Sequence, residues 1–153
     1  ALAVGSHPYG IAIDSTSTYA YVVNYIDSTV TKINLSTFLT VGSALAVGLG
    51  PISIAIDPTS TYAYVVNVID GTVTKINLST FTAVGSALAV GSSPYSVAID
   101  STSTYAYVAN SGSNTVTKIN LSTFTAVGSA LAVGSSPQSI AIDKTSNFFV
   151  FMN

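Results

Sequence analysis

The sequence predicts an all-β chain of repeated four-stranded units, and three observations carry that prediction. The first is a repeat of 43 residues. Pro8, Pro51, Pro94 and Pro137 fall at that step, as do Asp14, Asp57, Asp100 and Asp143, and Asn24, Asn67, Asn110 and Asn153. The second is residue choice: β-branched and aromatic residues dominate short runs, which suits extended backbone. Gly, Ser and Pro interrupt every window long enough for a helix. The third is turn spacing, with Ser, Thr, Asn and Gly clusters at about the 8–12-residue interval of successive short strands. A four-strand unit of this length has the size of a propeller blade. The expected fold is therefore a β-propeller with four-stranded antiparallel blades, about 3.5 of them in this chain.

The third copy shows each element in turn. Strand one is expected over residues 95–100, where Val97 and Ile99 alternate with small residues, followed by a Ser-Thr-Ser-Thr turn at 101–104. Strand two follows at 105–110 and a Ser/Gly/Asn turn at 111–114. Strand three, at 115–120, has Val116 and Ile119 as apolar anchors, and strand four is expected from about 126 to 133. Residues 1–153 form one array: blade 1 at about 5–47, blade 2 at about 48–90, blade 3 at about 91–133 and a half-blade at 134–153.

Composition narrows the function classes. The chain has 153 residues, 48% hydrophobic and 7% charged, with a formal net charge of −2 and neither Arg nor Glu. A nucleic-acid binder shows a basic stripe, so no nucleic acid partner is expected. Apolar runs such as 19–23 are far shorter than the roughly 20 residues of a spanning helix. The even turn spacing also lacks the long and short loops of a membrane barrel, so membrane insertion is not expected. The absence of cysteine removes disulfides and Cys-based zinc sites. Ala1 already lies inside a repeat, so the sequence reads as part of a longer or processed chain.

Tyr21-Val22-Val23-Asn24, Tyr64-Val65-Val66-Asn67 and Tyr107-Val108-Ala109-Asn110 carry a family signature. The Val-Gly-x-x-Pro joins, such as Val90 to Pro94, and the run from Asn114 to Asn120 extend it. Over nearly its whole length the chain resembles the YVTN family of β-propeller repeats, related to surface-layer proteins. The signature's third residue is Val or Ala here, and the last copy reads Val150-Phe151-Met152-Asn153. The resemblance implies a propeller and an extracellular or cell-surface location. Relatives that act as lactonases or as nitrite- or amine-oxidising propellers use His, Glu or metal sets that this sequence lacks.

Differences between copies point to a surface. One cluster precedes strand one: Ser6-His7, Leu49-Gly50 and Ser92-Ser93, then Tyr9, Ile52, Tyr95 and Gln138. The other is the turn after strand two: Tyr25-Ile26-Asp27-Ser28, Val68-Ile69-Asp70-Gly71 and Ser111 to Asn114. In a four-strand meander both connections emerge on one face. His7, Tyr9, Tyr25, Ile26, Asp27, Leu49, Ile52, Val68, Ile69, Asp70, Tyr95 and Gln138 are therefore the expected interaction face, with protein or glycan as ligand.

Candidate chemistry is sparse. Asp14, Asp57, Asp100 and Asp143 precede Ser/Thr-rich turns or their equivalents and read as turn formers rather than calcium ligands, since calcium takes six to eight oxygens. His7 is the only histidine and has no Cys, Glu or second His to work with, so no catalytic, cofactor or metal residue is assigned. Lys32, Lys75 and Lys118 are expected to face solvent and discourage edge pairing. Asn34, Asn77 and Asn120 head Asn-Leu-Ser triplets, which match a glycosylation pattern and equally suit strand-end turns. A repeat buries its apolar face only against its neighbours. Three and a half blades therefore predict a homo-oligomer or further chain, with Phe148, Phe149, Phe151 and Met152 as an apolar contact edge.

Overall fold

The computed structural model describes residues 1–143 and the backbone of 149–152. Blade 1 contains β1 (Pro8–Ile13), β2 (Tyr19–Asn24) and β3 (Thr29–Asn34), then the short β4 (Leu39–Thr40) and β5 (Leu45–Ala46). Blade 2 repeats this as β6 (Pro51–Ile56), β7 (Tyr62–Asn67), β8 (Thr72–Asn77), β9 (Thr82–Ala83) and β10 (Leu88–Ala89). Blade 3 consists of β11 (Pro94–Ile99), β12 (Tyr105–Asn110), β13 (Thr115–Asn120), β14 (Thr125–Ala126) and β15 (Leu131–Ala132). A further antiparallel pair, β16 (Ser139–Ile142) and β17 (Phe149–Met152), begins another unit. Blades are antiparallel meanders, and β1, β6, β11 and β16 lie side by side in sequence order. This is a partial β-propeller.

The fourth strand departs from expectation. It is two strands of two residues each, both paired with the third strand of the blade. Thr40 pairs with Ile33 and Leu45 with Val30, so residues 41–44 bulge out opposite 31–32. The apolar alternation of 126–133 concealed this break. Gly128 marks it by taking φ +64, a left-handed conformation that costs glycine little.

The second and third strands of the blades are buried on both faces. Residues of β2 alternate between neighbours: Tyr21 and Val23 pack with Ile54, Ala63, Val65 and Ile76 of blade 2, whereas Ala20 and Val22 pack with Leu2, Val4 and Leu35. The same alternation sends Tyr64 and Val66 towards Val97, Ala106, Val108 and Ile119 of blade 3. Tyr21 shares its cluster with Ala63, and Tyr64 with Ala106, so large residues meet small ones and the layers interlock. Phe81 lies 6.0 Å from Tyr21, and Phe124 lies 6.1 Å from Tyr64, ring centre to ring centre.

This two-sided burial overturns the expectation for the lysines. Lys32 and Lys75 are 9% and 8% exposed, on third strands that are not blade edges. Lys32 Nζ donates to the Leu78 carbonyl oxygen at 3.3 Å and lies 4.1 Å from the Tyr19 ring centre. Lys75 Nζ does the same with the Leu121 oxygen at 3.0 Å and the Tyr62 ring at 4.1 Å. Each ammonium spans two blades. Lys118 is half-buried, with Nζ 3.7 Å from the Tyr105 ring centre.

The aspartates act as turn formers. Asp57 Oδ1 accepts the Thr61 N–H at 2.9 Å and the Thr59 hydroxyl at 2.9 Å, while Oδ2 accepts the Tyr62 N–H at 3.0 Å. Asp14 and Asp100 repeat the pattern. Asn34, Asn77 and Asn120 cap their turns through Oδ1, which accepts backbone N–H groups two and three residues on. Asn24, Asn67 and Asn110 are fully buried, and each donates from Nδ2 to two threonine hydroxyls of the next strand.

Burial predicts an alkaline transition. It pushes Tyr21 up to about 12, aided by the charges of Asp14 and Tyr19. Tyr64 is raised for the same reason, with Asp57 and Tyr62 contributing. A raised folded-state pKa gives stability that is intact below the unfolded value near 10 and is lost as pH climbs through the folded value. For Tyr21 alone the loss is roughly 2–3 kcal/mol. Burial lowers Lys32 and Lys75, against the opposing pull of Asp14 and Asp57. That works the other way, adding stability as pH rises towards about 10.5 and nothing further above it. Urea midpoints should therefore fall between about pH 10.5 and 12, together with the rise of tyrosinate absorbance. A midpoint that held constant over that interval would contradict the tyrosine burial.

Candidate functional site: the variable loop face

In each blade the two variable segments are hydrogen-bonded to one another. The Tyr25 and Ile26 N–H groups donate to the carbonyl oxygens of His7 and Ser6. Val68 and Ile69 donate to Gly50 and Leu49, and Ser111 and Gly112 to Ser93 and Ser92. A four-strand meander brings these segments to the same face, as expected from sequence, and the structure zips them into a ledge on each of the three blades. Aspartate fastens two of the ledges: Asp27 Oδ2 accepts the Ser6 N–H at 2.8 Å, and Asp70 Oδ2 accepts the Leu49 N–H at 2.7 Å. In blade 3, where Ser113 replaces the carboxylate, Asn110 Oδ1 accepts the Gly91 N–H at 3.2 Å instead.

Left-handed backbone, which sequence reading missed, recurs on this face, as it does at Ser17, Ser60, Ser103, Phe38, Phe81 and Phe124 in the turns of the opposite face. His7, Ser93 and Ser136 have φ of 51°, 47° and 52°, and Gly50 occupies the same repeat position at 65°. The turn positions Ser28, Gly71 and Asn114 are also left-handed, at 55°, 66° and 54°. Such residues cost roughly 1–2 kcal/mol each when they are not glycine. Gly50 has a second reason to lack a side chain. A Cβ there would sit 2.8 Å from Ile69 Cγ1 and 3.2 Å from Tyr25 Cε2, so adjacent ledges touch across it.

Apolar groups protrude from the ledges. Tyr9 is 62% exposed, Ile26 59%, Leu49 53%, Ile69 61% and Tyr95 37%. The Tyr9 and Tyr25 rings are 5.7 Å apart, tilted by 46°. Between blades 2 and 3 an open cleft of about 430 Å³ is lined by residues 68–71 and 89–93, which brings together Val68, Ile69 and Asp70. His7, Asp27 and Gln138 are also exposed.

Three residues of the expected face sit differently. Ile52 is 8% exposed and belongs to the core shared by blades 2 and 3. The same register shift accompanies the exposed Tyr9 and Tyr95, so what differs at Ile52 is its wholly apolar side chain, which gains by burial where a tyrosine hydroxyl favours water. Tyr25 and Val68 are half-buried against the same core. They support the ledge rather than tip it. Phe148, and the side chains of Phe149, Phe151 and Met152, lie outside the described residues, and β17 is described by its backbone alone.

Fold and face together define the class: a β-propeller segment with one zipped, apolar-tipped loop face. No family model matches the chain, and no curated protein matches it. Solved structures share its fold. Hydrazine synthase from Kuenenia stuttgartiensis superposes with a TM-score of 0.90 at 21% identity, over 99% of this chain and 43% of that one. A functionally unknown protein from Desulfotomaculum acetoxidans gives 0.80 at 14% identity, over 95% of this chain and 55% of that one. A candidate 6-phosphogluconolactonase from Bacteroides uniformis gives 0.83 at 11% identity, over 95% and 47%. The chain thus spans about half the length of these structures, and at such identities the likeness establishes the fold alone.

Proposed function

We propose that this chain is a non-catalytic binding or scaffold module that works through its variable loop face, as part of a YVTN-like, surface-layer-related propeller at or outside the cell surface. The observation that carries the reading is the hydrogen-bonded pairing of the two variable segments in every blade. It gathers the copy-to-copy differences onto one surface and exposes Tyr9, Ile26, Leu49, Ile69 and Tyr95 there. Amphipathic aromatics and aliphatics held on rigid ledges are the side chains that carry binding energy in protein interfaces and stack on sugars. The ligand is a protein or glycan of the cell envelope. Substituting Tyr9, Ile26 and Ile69 together by serine should abolish binding to an array of envelope glycans and surface proteins. Leu39→Ser, at a 62%-exposed site on the outer strand, should leave it intact. Equal binding by the two variants would defeat the proposal.

A second, structural reading is favoured by a different surface. Ile11 on β1 is 62% exposed, whereas its counterparts Ile54 and Val97 in the covered blades are 9% and 7% exposed, and Ile13 is 53% exposed where Ile56 and Ile99 are partly buried. Phe38 is 61% exposed where Phe81 and Phe124 lie against tyrosines of the preceding blade. This face is shaped for another blade of the same type, and a homo-oligomer is one way to supply it. Light scattering should then give a multiple of 15.6 kDa, and a monomeric mass would count against self-assembly.

A further inference from the structure

On the face opposite the ledges, neighbouring blades part into two equivalent clefts. The cleft between blades 1 and 2, about 380 Å³, is lined by Asp14, Tyr19, Lys32, Thr59 and Ser60 among others. The cleft between blades 2 and 3, about 330 Å³, has Asp57, Tyr62, Lys75, Ser103 and Ser122. Both volumes are within the roughly 300–1,000 Å³ typical of small-molecule sites.

The two clefts differ in one contact. In the first, the Ser60 hydroxyl accepts the Ser15 N–H at 2.7 Å and donates to the Ser15 hydroxyl at 2.8 Å. In blade 2 the Ser15 position is Pro58, which has neither an N–H nor a hydroxyl. The counterpart of Ser60 is Ser103, and its Oγ is buried without a hydrogen-bond partner. A buried polar group is normally satisfied; among the described residues Ser103 Oγ shares its exception with Asn24 Oδ1 and Asn67 Oδ1, and of the three only Ser103 lines a cleft.

We infer that the cleft between blades 2 and 3 binds a small neutral polyhydroxylated ligand, a sugar ring, through Ser103. Charge selects the class. The Lys75 ammonium gives one N–H to Leu121 and lies over Tyr62, which leaves donor capacity. Asp57, on the same wall, retains acceptor capacity beyond its turn bonds. A hydroxyl can accept from the first and donate to the second. An anion would be repelled by Asp57 and a cation by Lys75. Thr59, Ser103 and Ser122 supply further hydroxyls, and Tyr62 an aromatic wall. The inference does not depend on the loop-face proposal, because the two surfaces share no residue.

The test is an amide-resonance titration of the folded chain with the methyl glycosides of glucose, galactose, mannose and N-acetylglucosamine. At least one should give saturable shifts at Thr59, Thr61, Ser103 and Ser122, with weaker effects at Thr16, Thr18 and Ser79. Pro58→Ser restores a pairing that blade 1 already carries, so the fold tolerates it. It should weaken binding by about tenfold, the worth of one good hydrogen bond, as should Ser103→Ala. Ser15→Pro should strengthen binding in the first cleft. The Tyr9, Ile26 and Ile69 serine variant should titrate like the parent, whatever its effect on the loop face. No saturable shift with any glycoside would overturn the inference. So would tighter binding of acetate or sulfate, or indifference to Pro58→Ser and Ser103→Ala.

Discussion

Tyr64→Ala is expected to destabilise the chain by about 3–5 kcal/mol, the usual cost of deleting a buried aromatic ring. Tyr64 is 1% exposed and projects from blade 2 into a cluster that includes Ala106, Val108, Ile119 and Leu121 of blade 3. Its ring also faces Phe124 at 6.1 Å. The loss therefore falls on the junction and not only on one sheet. In a linear repeat array stability is a sum of unit and interface terms, so a weakened interface should let blade 3 unfold separately. Urea unfolding followed by circular dichroism should show a lower midpoint and a broadened or split transition. Tyr64→Phe keeps the ring and should cost only about 1 kcal/mol. Tyr107→Ala, at 8% exposure and with only part of a further unit beyond it, should cost less than Tyr64→Ala. Equal losses at the two positions would show that the junction is not where the energy lies.

Lys75→Glu should cost a comparable 3–5 kcal/mol, the range for leaving a buried charge without compensation. Every feature that suits the ammonium opposes a carboxylate: the Leu121 carbonyl oxygen at 3.0 Å and the electron-rich Tyr62 face at 4.1 Å. Asp57 on the same cleft wall adds a like charge. The introduced carboxyl would have a raised folded-state pKa, so stability lost at neutral pH should return as pH falls and the group is protonated. Recovery of the urea midpoint between pH 7 and pH 4.5 separates this electrostatic penalty from a packing defect. Lys75→Met retains the aliphatic stem and should be close to neutral. A large loss in the methionine variant would assign the energy to the charge–carbonyl contact instead.

How much of this was readable from sequence depended on whether the cause was local. Strands two and three were legible at their limits, 105–110 and 115–120, because Tyr-Ala-Tyr-Val and Thr-Val-Thr-Lys-Ile are flanked by turn residues that stop them. The placement of the two variable segments on one face was legible too, since a meander leaves them no other, whereas their hydrogen-bonded pairing was not. Strand one was shifted by one residue, with Pro94 included, as proline is tolerated at the first position of a strand. The lysines were misread because alternation along one strand suggests a wet face, while a propeller blade is covered on both sides. The groups that cover Lys32 are Phe81 and the Leu78 carbonyl, a whole repeat away. Ile52 was misplaced because the same repeat position is exposed when tyrosine fills it, at Tyr9 and Tyr95, and buried when isoleucine does. The orphaned Ser103 had a sequence signal: Pro58 is the one substitution at its position among the three complete Asp-x-Thr-Ser-Thr turns. Its meaning appears only when the turn of the next blade is laid beside it.

The interrupted fourth strand bears on how the chain reaches its fold. Nearly identical copies in tandem create competing ways to assemble, since a third strand could recruit the outer segment of the wrong copy as readily as its own. Such exchanges trap multidomain and repeat chains during folding, and long uniform ladders can continue into fibrils. Here the outer segment offers only two residues at a time, on either side of a bulge at 41–44 and its counterparts. A mispaired copy therefore gains a short ladder and little reason to persist, while the native partner, a few residues away in sequence, recaptures the segment first. The break that hid the strand from sequence reading makes repetition safe for this chain.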